Sequence, residues 1–501
     1  MTRVPHLLTR RAALSGVLSG LGGLAIAGAP TASLRPKPRP DGAVVPPKPV
    51  SVAPPPASEA LVKAAKLGGD VGFAVVDAET GEILETRSGG KLLPPASTLK
   101  VVTALYALDQ LGASHTFSTR LLATGPLVNG RLEGDLILAG GGDPTLDTDR
   151  LAELAKALRE AGVIEVTGRY LLWPEALPRG KRIDFEQPDH VAYNPSYGGL
   201  NLNFNRVHFQ WEKKRDVFDI TMHARARNNS PSTAVSQMAI IDRKAPVFEY
   251  KDWGRRDQWS VAKWALGKKG GARWLPVRYP ALYTGDVFRT LARANGVVLK
   301  PGELIDALPE ARPLVTIESD PLVPMLQGML KYSTNLTAEA AGLTASQKSG
   351  PVDGLLGSGA RMGGWAMANF GVAGVRFRDH SGLGYGSAIT PGDLAKILAA
   401  NRGVAPLLKT VNLSTDKKTP NPKDVLVRAK TGTLNFVSSL TGIITRQGKR
   451  DLAFAILTAD TARRDAIPPA ERERPPGSKS WARRSRRLQK QLLRHWSRHY
   501  A

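Results

Sequence analysis

The chain has 501 residues, 42% hydrophobic and 23% charged, a globular composition long enough for two or three domains and incompatible with a wholly disordered chain. It has no cysteine, which excludes a disulfide framework and any cysteine metal site. Its formal net charge of +25 points to an anionic partner such as nucleic acid, lipid headgroups or acidic cell-wall polymers; no nucleic-acid-binding module is recognisable, so nucleic acid is not expected as a partner.

In chain order, residues 1–29 read as a secretory signal. "MTRVPHLLTRR" is a basic n-region, "AALSGVLSGLGGLAIAGA" is apolar and rich in Ala and Gly, and small residues suit cleavage near Ala27 or Ala29. Thr9-Arg10-Arg11 resembles a twin-arginine signal; an ordinary signal peptide and an uncleaved anchor are the alternatives. Export to the periplasm is the expectation. Residues 30–57 form a stiff linker, with nine prolines between 35 and 57, so folded structure is expected from about Ser58. "VGFAVVDAETGEILETRS" predicts two strands around a turn. A helix is expected from Ser97 to Leu111, buried through Val101, Val102, Leu105, Leu108 and Leu111, with Gly112 ending it. "GDLILAGGGDPTL" predicts a strand and a Gly-rich loop, "DTDRLAELAKALREAG" an amphipathic helix, and "VIEVTGRYLLW" one strand. From about 200 to 275 the aromatic, alternating texture suggests a β-rich module, and "DVFRTLARANG" then reads as a helix. "DVLVRAK", "FVSSLTGIITR" and "DLAFAILTA" predict three strands, the last two joined by a tight turn at Arg446–Arg450. Residues 471–501 hold ten Lys/Arg against two Glu and read as a basic helix. His495 and His499 in that tail are expected to be solvated, and no histidine pair suggests a metal site.

Three short constellations carry possible chemistry. Ser97-Thr-Leu-Lys100 puts a hydroxyl and an amine one helical turn apart, about 5–6 Å at Cβ, at a helix start where N–H groups are unpaired. The lysine could take the hydroxyl proton if burial lowers its proton affinity. The plain alternative is an N-cap serine with a solvated lysine, but a lysine facing an apolar helix needs an explanation. Ser333-Thr-Asn335 could direct a hydroxyl and an amide into one cleft, or cap the following helix. Lys430-Thr431-Gly432-Thr433 puts a lysine at the end of an apolar strand, followed by a glycine that admits close backbone approach; an extended peptide could dock on such an edge. "DHSGLGYGSAITP" adds a Gly/Ser loop with Asp379 and His380.

Together, S-x-x-K, S-x-N and K-T-G resemble the motifs of penicillin-binding proteins and serine β-lactamases. The wide gap between Ser97 and Ser333, "PPASTLKVVTALYAL", "GDLILAGGGDPTL" and "DHSGLG" make the chain similar to the D-alanyl-D-alanine carboxypeptidase/endopeptidase family of class C, penicillin-binding protein 4-like type, peptidase family S13, from about residue 58 to the end. The resemblance implies an α+β or α/β fold: a transpeptidase-type, β-lactamase-like domain of antiparallel sheet and flanking helices, split by two nested domains. The implied segments are 58–114 and 314–501 (catalytic), 115–204 and 276–313 (inserted domain II), and 205–275 (β-rich domain III). The strands in 71–87 and 425–459 would share one sheet, with the C-terminal helix packed on it through Trp481, Leu488, Leu492 and Trp496. Its arginines could still make peripheral contact with anionic lipid.

The resemblance further implies Ser97 as nucleophile, Lys100 as its base, and Ser333 and Lys430 as the proton relay, with Lys430 helping to keep Lys100 neutral. Asn335 would bind the substrate amide, Thr431 and Thr433 the terminal carboxylate, and Gly432 would let the substrate approach. The N–H groups of Ser97 and Thr433 would form the oxyanion hole. No cofactor or metal is implied; peptidoglycan peptides and β-lactam antibiotics are the implied partners. A β-lactamase-type hydrolase and a non-catalytic wall-binding protein are the alternatives. Two positions depart from the family pattern: Trp173, followed by Glu175, stands where relatives carry an aspartate thought to read the diaminopimelate side chain, and Gly384 where serine is common.

Overall fold

The computed structural model describes residues 55–215, 217–415 and 419–501. The expected signal and nearly all of the linker lie outside them. The linker ends sooner than expected, because a helix already begins at Pro56 (Pro56–Ala65). Proline at the first helical turn has no N–H to waste there.

The central sheet joins the two ends of the chain. It holds β1 (Asp70–Asp77), β2 (Ile83–Arg87), β3 (Val425–Leu434), β4 (Val437–Arg446) and β5 (Leu452–Ala459), in the order Lys409–Thr410, β3, β4, β5, β1, β2. All eight residues of β5 are buried, as expected for a strand covered on both faces. Alternate residues serve different cores. Ala74, Val76, Ala455 and Leu457 pack under the helix Pro391–Ala400, in the core that also holds α1 (Leu99–Leu111), while Phe73, Val75, Phe454 and Ile456 pack under the C-terminal helix. That helix, Ser478–His499, buries Trp481, Leu488, Leu492 and Trp496 completely and turns its arginines outward. Trp496 meets Phe73 edge-on at 5.4 Å, and its indole N–H donates to the buried Glu85 at 3.0 Å. His495 is half-buried against Glu85 rather than solvated, because the helix docks along its whole length.

The long insertion folds around a second core. A five-stranded sheet runs Gly302–Leu304, Tyr170–Trp173, Leu136–Gly140, Ser118–Ala123 and Arg312–Glu318. Its last strand runs through the expected boundary between 313 and 314. Two three-stranded sheets occupy 206–276, and the helices Thr148–Glu160 and Pro280–Ala294 complete the same apolar core. The segment "VIEVTGRYLLW" makes two short strands, Glu165–Val166 and Tyr170–Trp173, rather than one. Thr167-Gly168-Arg169 breaks it, because Gly168 is pressed to 2.4 Å from the Gly134 carbonyl, measured from where a Cβ would stand. Among the described residues no helix is long and apolar enough to cross a membrane.

Candidate active site

α1 is buried on every side from Leu99 to Leu108, with Lys100 fully enclosed. Residues Ala96–Thr98 ahead of it form a 3-10 turn, so Ser97 does not cap the helix. Ala96 has φ +46, a strained value for a residue with a Cβ, held by its packing against Gly382 and the central sheet. Ser97 Oγ instead lies 3.0 Å from Lys100 Nζ.

Lys100 Nζ has two further neighbours, Asn335 Oδ1 at 2.7 Å and the Ser381 carbonyl at 2.7 Å. Both are acceptors only. A neutral amine spends its two N–H bonds on them and turns its lone pair to the Ser97 hydroxyl, so these contacts aim the base. Burial pushes Lys100 below its ordinary value, to about 8, against the opposing pull of Glu339 and Asp379.

Ser333 and Asn335 flank the junction of α2 (Leu322–Tyr332) and α3 (Asn335–Gln347). Ser333 ends α2 with φ +60 and caps neither helix with its side chain. Its hydroxyl accepts from Lys430 Nζ at 2.9 Å, and the same ammonium reaches the Thr431 carbonyl at 2.7 Å. Lys430 sits in mid-strand, since β3 continues to Leu434, and not at a strand end as its sequence context suggested. Burial, with the charges of Lys100 and Lys409, lowers Lys430 well below an ordinary lysine. The expected influence of Lys430 on Lys100 does not emerge: burial is what lowers Lys100, and the charge effect between the two amines is felt at Lys430.

Among the described residues, β3 pairs outward only with the two-residue strand Lys409–Thr410, opposite Ala429 and Arg428. The Val427 carbonyl accepts from Val411 on that outer side. Backbone groups alternate along a strand, so Thr431 and Thr433 also turn theirs to the open edge. Gly432 lies against the nucleophile turn: a Cβ there would stand 2.0 Å from Ser439 Oγ, 2.8 Å from the Pro95 carbonyl and 2.9 Å from Ser97 N. Ser439 Oγ in turn donates to the Pro95 carbonyl at 2.5 Å. Thr433 lines the cleft with Ser97, Ser333 and Asn335; Thr431 is exposed and is not among the lining residues.

The cleft is about 710 Å³, the size of a small-ligand site. Its far wall comes from the insertion. The Tyr193 carbonyl accepts from Asn335 Nδ2 at 2.7 Å, and the wall is fastened to the C-terminal region by His190–Glu473 (2.7 Å), Arg273–Glu473 (3.0 Å) and Arg472–Glu186 (2.6 Å). Trp173 and Glu175 do not line it; Glu175 pairs with Arg179. At Gly384 a Cβ would stand 2.8 Å from Asp379 Oδ2, while its N–H donates to that carboxylate.

Sequence reasoning missed Tyr193, Ser439, Ser381 and Glu339. Tyr193 and Ser439 carry no local signal. Glu339 did carry one: it is the single charge in "LTAEAAGL", four residues from Asn335 and so on the same helical face.

A family model described as the D-Ala-D-Ala carboxypeptidase 3 (S13) family matches residues 57–473. The D-alanyl-D-alanine carboxypeptidase of Actinomadura sp. (strain R39) is 28% identical over 453 residues, 80% of this chain and 79% of that protein. The D-alanyl-D-alanine carboxypeptidase DacB of Haemophilus influenzae is 23% identical over 411 residues, 77% and 85% of the two chains. The crystal structure of penicillin binding protein 4 from Haemophilus influenzae superposes with a TM-score of 0.70 at 19% identity, covering 87% of this chain and 99% of that one. The α+β, β-lactamase-like fold implied by the motifs is borne out by that likeness.

Proposed function

The chain belongs to the D-Ala-D-Ala carboxypeptidase 3 (S13) family, and from that premise we propose that it cleaves the D-Ala-D-Ala bond of peptidoglycan stem peptides through an acyl-enzyme at Ser97. The observation that carries this reading is the pair of contacts Lys100–Ser97 at 3.0 Å and Lys430–Ser333 at 2.9 Å, around one cleft.

Lys100 takes the Ser97 proton as Oγ attacks the carbonyl carbon of the penultimate D-alanine. The tetrahedral oxyanion lies between the N–H groups of Ser97 and Thr433, each worth about 3–4 kcal/mol. Ser333, hydrogen-bonded to Lys430, passes a proton to the departing amine. Asn335 keeps one Nδ2–H free after its bond to Tyr193, and offers it to the substrate amide. The hydroxyls of Thr431 and Thr433 take the terminal carboxylate. Water then releases the acyl group. β-Lactams enter the same path and stop at the acyl-enzyme; the Haemophilus influenzae protein has also been solved complexed with a β-lactam.

Two finer readings belong to the same proposal. The basic n-region and apolar run of residues 1–29 support export to the periplasm. The arginines that the C-terminal helix leaves exposed support peripheral contact with anionic lipid.

The test is digestion of purified peptidoglycan and of a D-Ala-D-Ala peptide by wild type and Ser97→Ala. Released D-alanine that disappears in the variant supports the proposal, and split crosslinks would add endopeptidase action. Cleavage by Ser97→Ala at the wild-type rate would refute it. Rapid penicillin turnover with no peptide cleavage would favour a β-lactamase.

A further inference from the structure

Two carboxylates lie behind Lys100 and take no part in the steps above. Glu339 is wholly buried and Asp379 nearly so. Buried acids need partners, and these find them almost entirely in backbone N–H groups of one loop. Glu339 accepts from His380 N at 2.9 Å and Ser381 N at 3.0 Å. Asp379 accepts from Gly382 N at 2.8 Å, and from Gly384 N. The Ser381–Gly382 peptide unit therefore donates its N–H to Asp379 while its carbonyl, the Ser381 oxygen, accepts from Lys100 Nζ at 2.7 Å. A carboxylate at one end of a peptide polarises the carbonyl at the other, and linked hydrogen bonds of this kind strengthen one another.

We propose that Asp379 and Glu339 are positioning residues for Lys100: together they hold the 379–384 loop so that the Ser381 carbonyl orients the amine, and their charge keeps that amine able to carry a proton despite its burial. The proposal rests on the reading of Lys100 as the base of Ser97. Two contacts fix the loop independently. Gly382, at φ +74, lies against the Ala96 carbonyl, and the Thr103 hydroxyl donates to the His380 carbonyl at 2.6 Å. Facing Lys100 are Glu339 from α3, Asp379 from the loop, the Lys430 amine from β3, whose charged form burial disfavours, and the neutral Ser97 and Asn335. His380 is neutral, pushed down to about 3 by burial, and its Nε2 engages Ser358 at 2.7 Å. Burial raises both acids, Glu339 to about 8 with the Asp379 charge adding to it, so the two acids and Lys100 share protons over one pH range; where ionised, Glu339 and Asp379 are the acids that oppose burial at Lys100.

The experiment compares wild type, Glu339→Gln, Glu339→Asp and Asp379→Asn in the full chain. Acylation by a fluorescent penicillin is followed against pH, with kcat and KM for a D-Ala-D-Ala peptide and thermal unfolding alongside. Removing a negative charge lowers the proton affinity of Lys100. In Glu339→Gln and Asp379→Asn the acid limb of the acylation profile therefore moves to lower pH, while the plateau falls about tenfold or more because the carbonyl is displaced. The loss lies in kcat and leaves KM largely unchanged. Glu339→Asp keeps the charge but retracts the carboxylate, so its limb stays in place and only its plateau falls; this variant carries the test if the neutral ones do not fold. Wild-type profiles in folded variants would overturn the proposal, as would a lowered plateau with an unmoved limb in both neutral variants. Failure of the underlying reading looks different: acylation would then survive in Ser97→Ala.

Discussion

Gly432→Ala tests the geometry of the nucleophile turn. The new methyl would stand 2.0 Å from Ser439 Oγ, 2.8 Å from the Pro95 carbonyl and 2.9 Å from Ser97 N, all closer than real Cβ contacts allow. Ser439 could rotate away, but only by giving up its 2.5 Å bond to the Pro95 carbonyl, which keeps the Thr98 N–H and hydroxyl, and leaving its own buried hydroxyl without that partner, at about 1–3 kcal/mol. The other two contacts are backbone, so relief requires β3 and the turn to separate. That withdraws Thr433 N and Ser97 N from each other and spoils the site between them. Loss of one aligned donor costs about a hundredfold to a thousandfold in rate, and overpacking costs about 1–3 kcal/mol of stability. The assay is the second-order rate of acylation by a fluorescent penicillin, with thermal unfolding as control. Gly364→Ala is the matched comparison: it lies in the helix Leu355–Phe370 with open space at its Cβ position, and should raise stability by about 0.5–1 kcal/mol without changing acylation. A folded Gly432→Ala protein that acylates at the wild-type rate would refute the reasoning.

Three further outcomes are expected. Lys100 is lowered to about 8 by burial and its neutral form is the reactive one, so acylation rises with pH through that region, falling about tenfold per unit below it; stopped-flow acylation across the neutral range measures this, and a flat profile would contradict it. Trp496→Ala removes a fully buried ring and the donor to Glu85, which costs about 3–5 kcal/mol in denaturant unfolding; a loss near zero would mean that the C-terminal helix does not hold the sheet. Glu473 is drawn down to about 2, first by its bond to His190. Its folded value lies below the ordinary one, so it stabilises the protein above the usual carboxylate range, and that contribution is lost as pH falls toward about 2. Glu473→Gln should therefore lose stability at neutral pH and flatten the acid end of the stability curve.

The sequence made the catalytic motifs legible because each is a short local pattern whose chemistry constrains its residues. Ser97-Thr-Leu-Lys100 and Lys430-Thr-Gly432 each left a plain reading open, and they gained catalytic meaning only as a set with Ser333-Thr-Asn335. The docked face of the last helix followed from the family resemblance, and Trp481, Leu488, Leu492 and Trp496 do recur at helical spacing. What stayed hidden depends on contacts between distant segments. Lys430 read as a strand end because Thr-Gly-Thr looks like a turn, yet pairing with β4 carries the strand on to Leu434. The Tyr193 carbonyl meets Asn335 only because the insertion folds back over the cleft. His495 read as solvated because charges surround it in sequence, whereas in space it faces Glu85. Asp379 was visible as a titratable group, but its link to Lys100 runs through a peptide bond, which no sequence pattern records.

The central claim is that Ser97 becomes acylated. Wild-type protein is incubated with penicillin, digested and mapped by mass spectrometry, with Ser97→Ala treated in parallel. The account predicts one penicilloyl adduct, on the peptide that contains Ser97, and none in the variant. An adduct at another residue, or one that persists in Ser97→Ala, would contradict it.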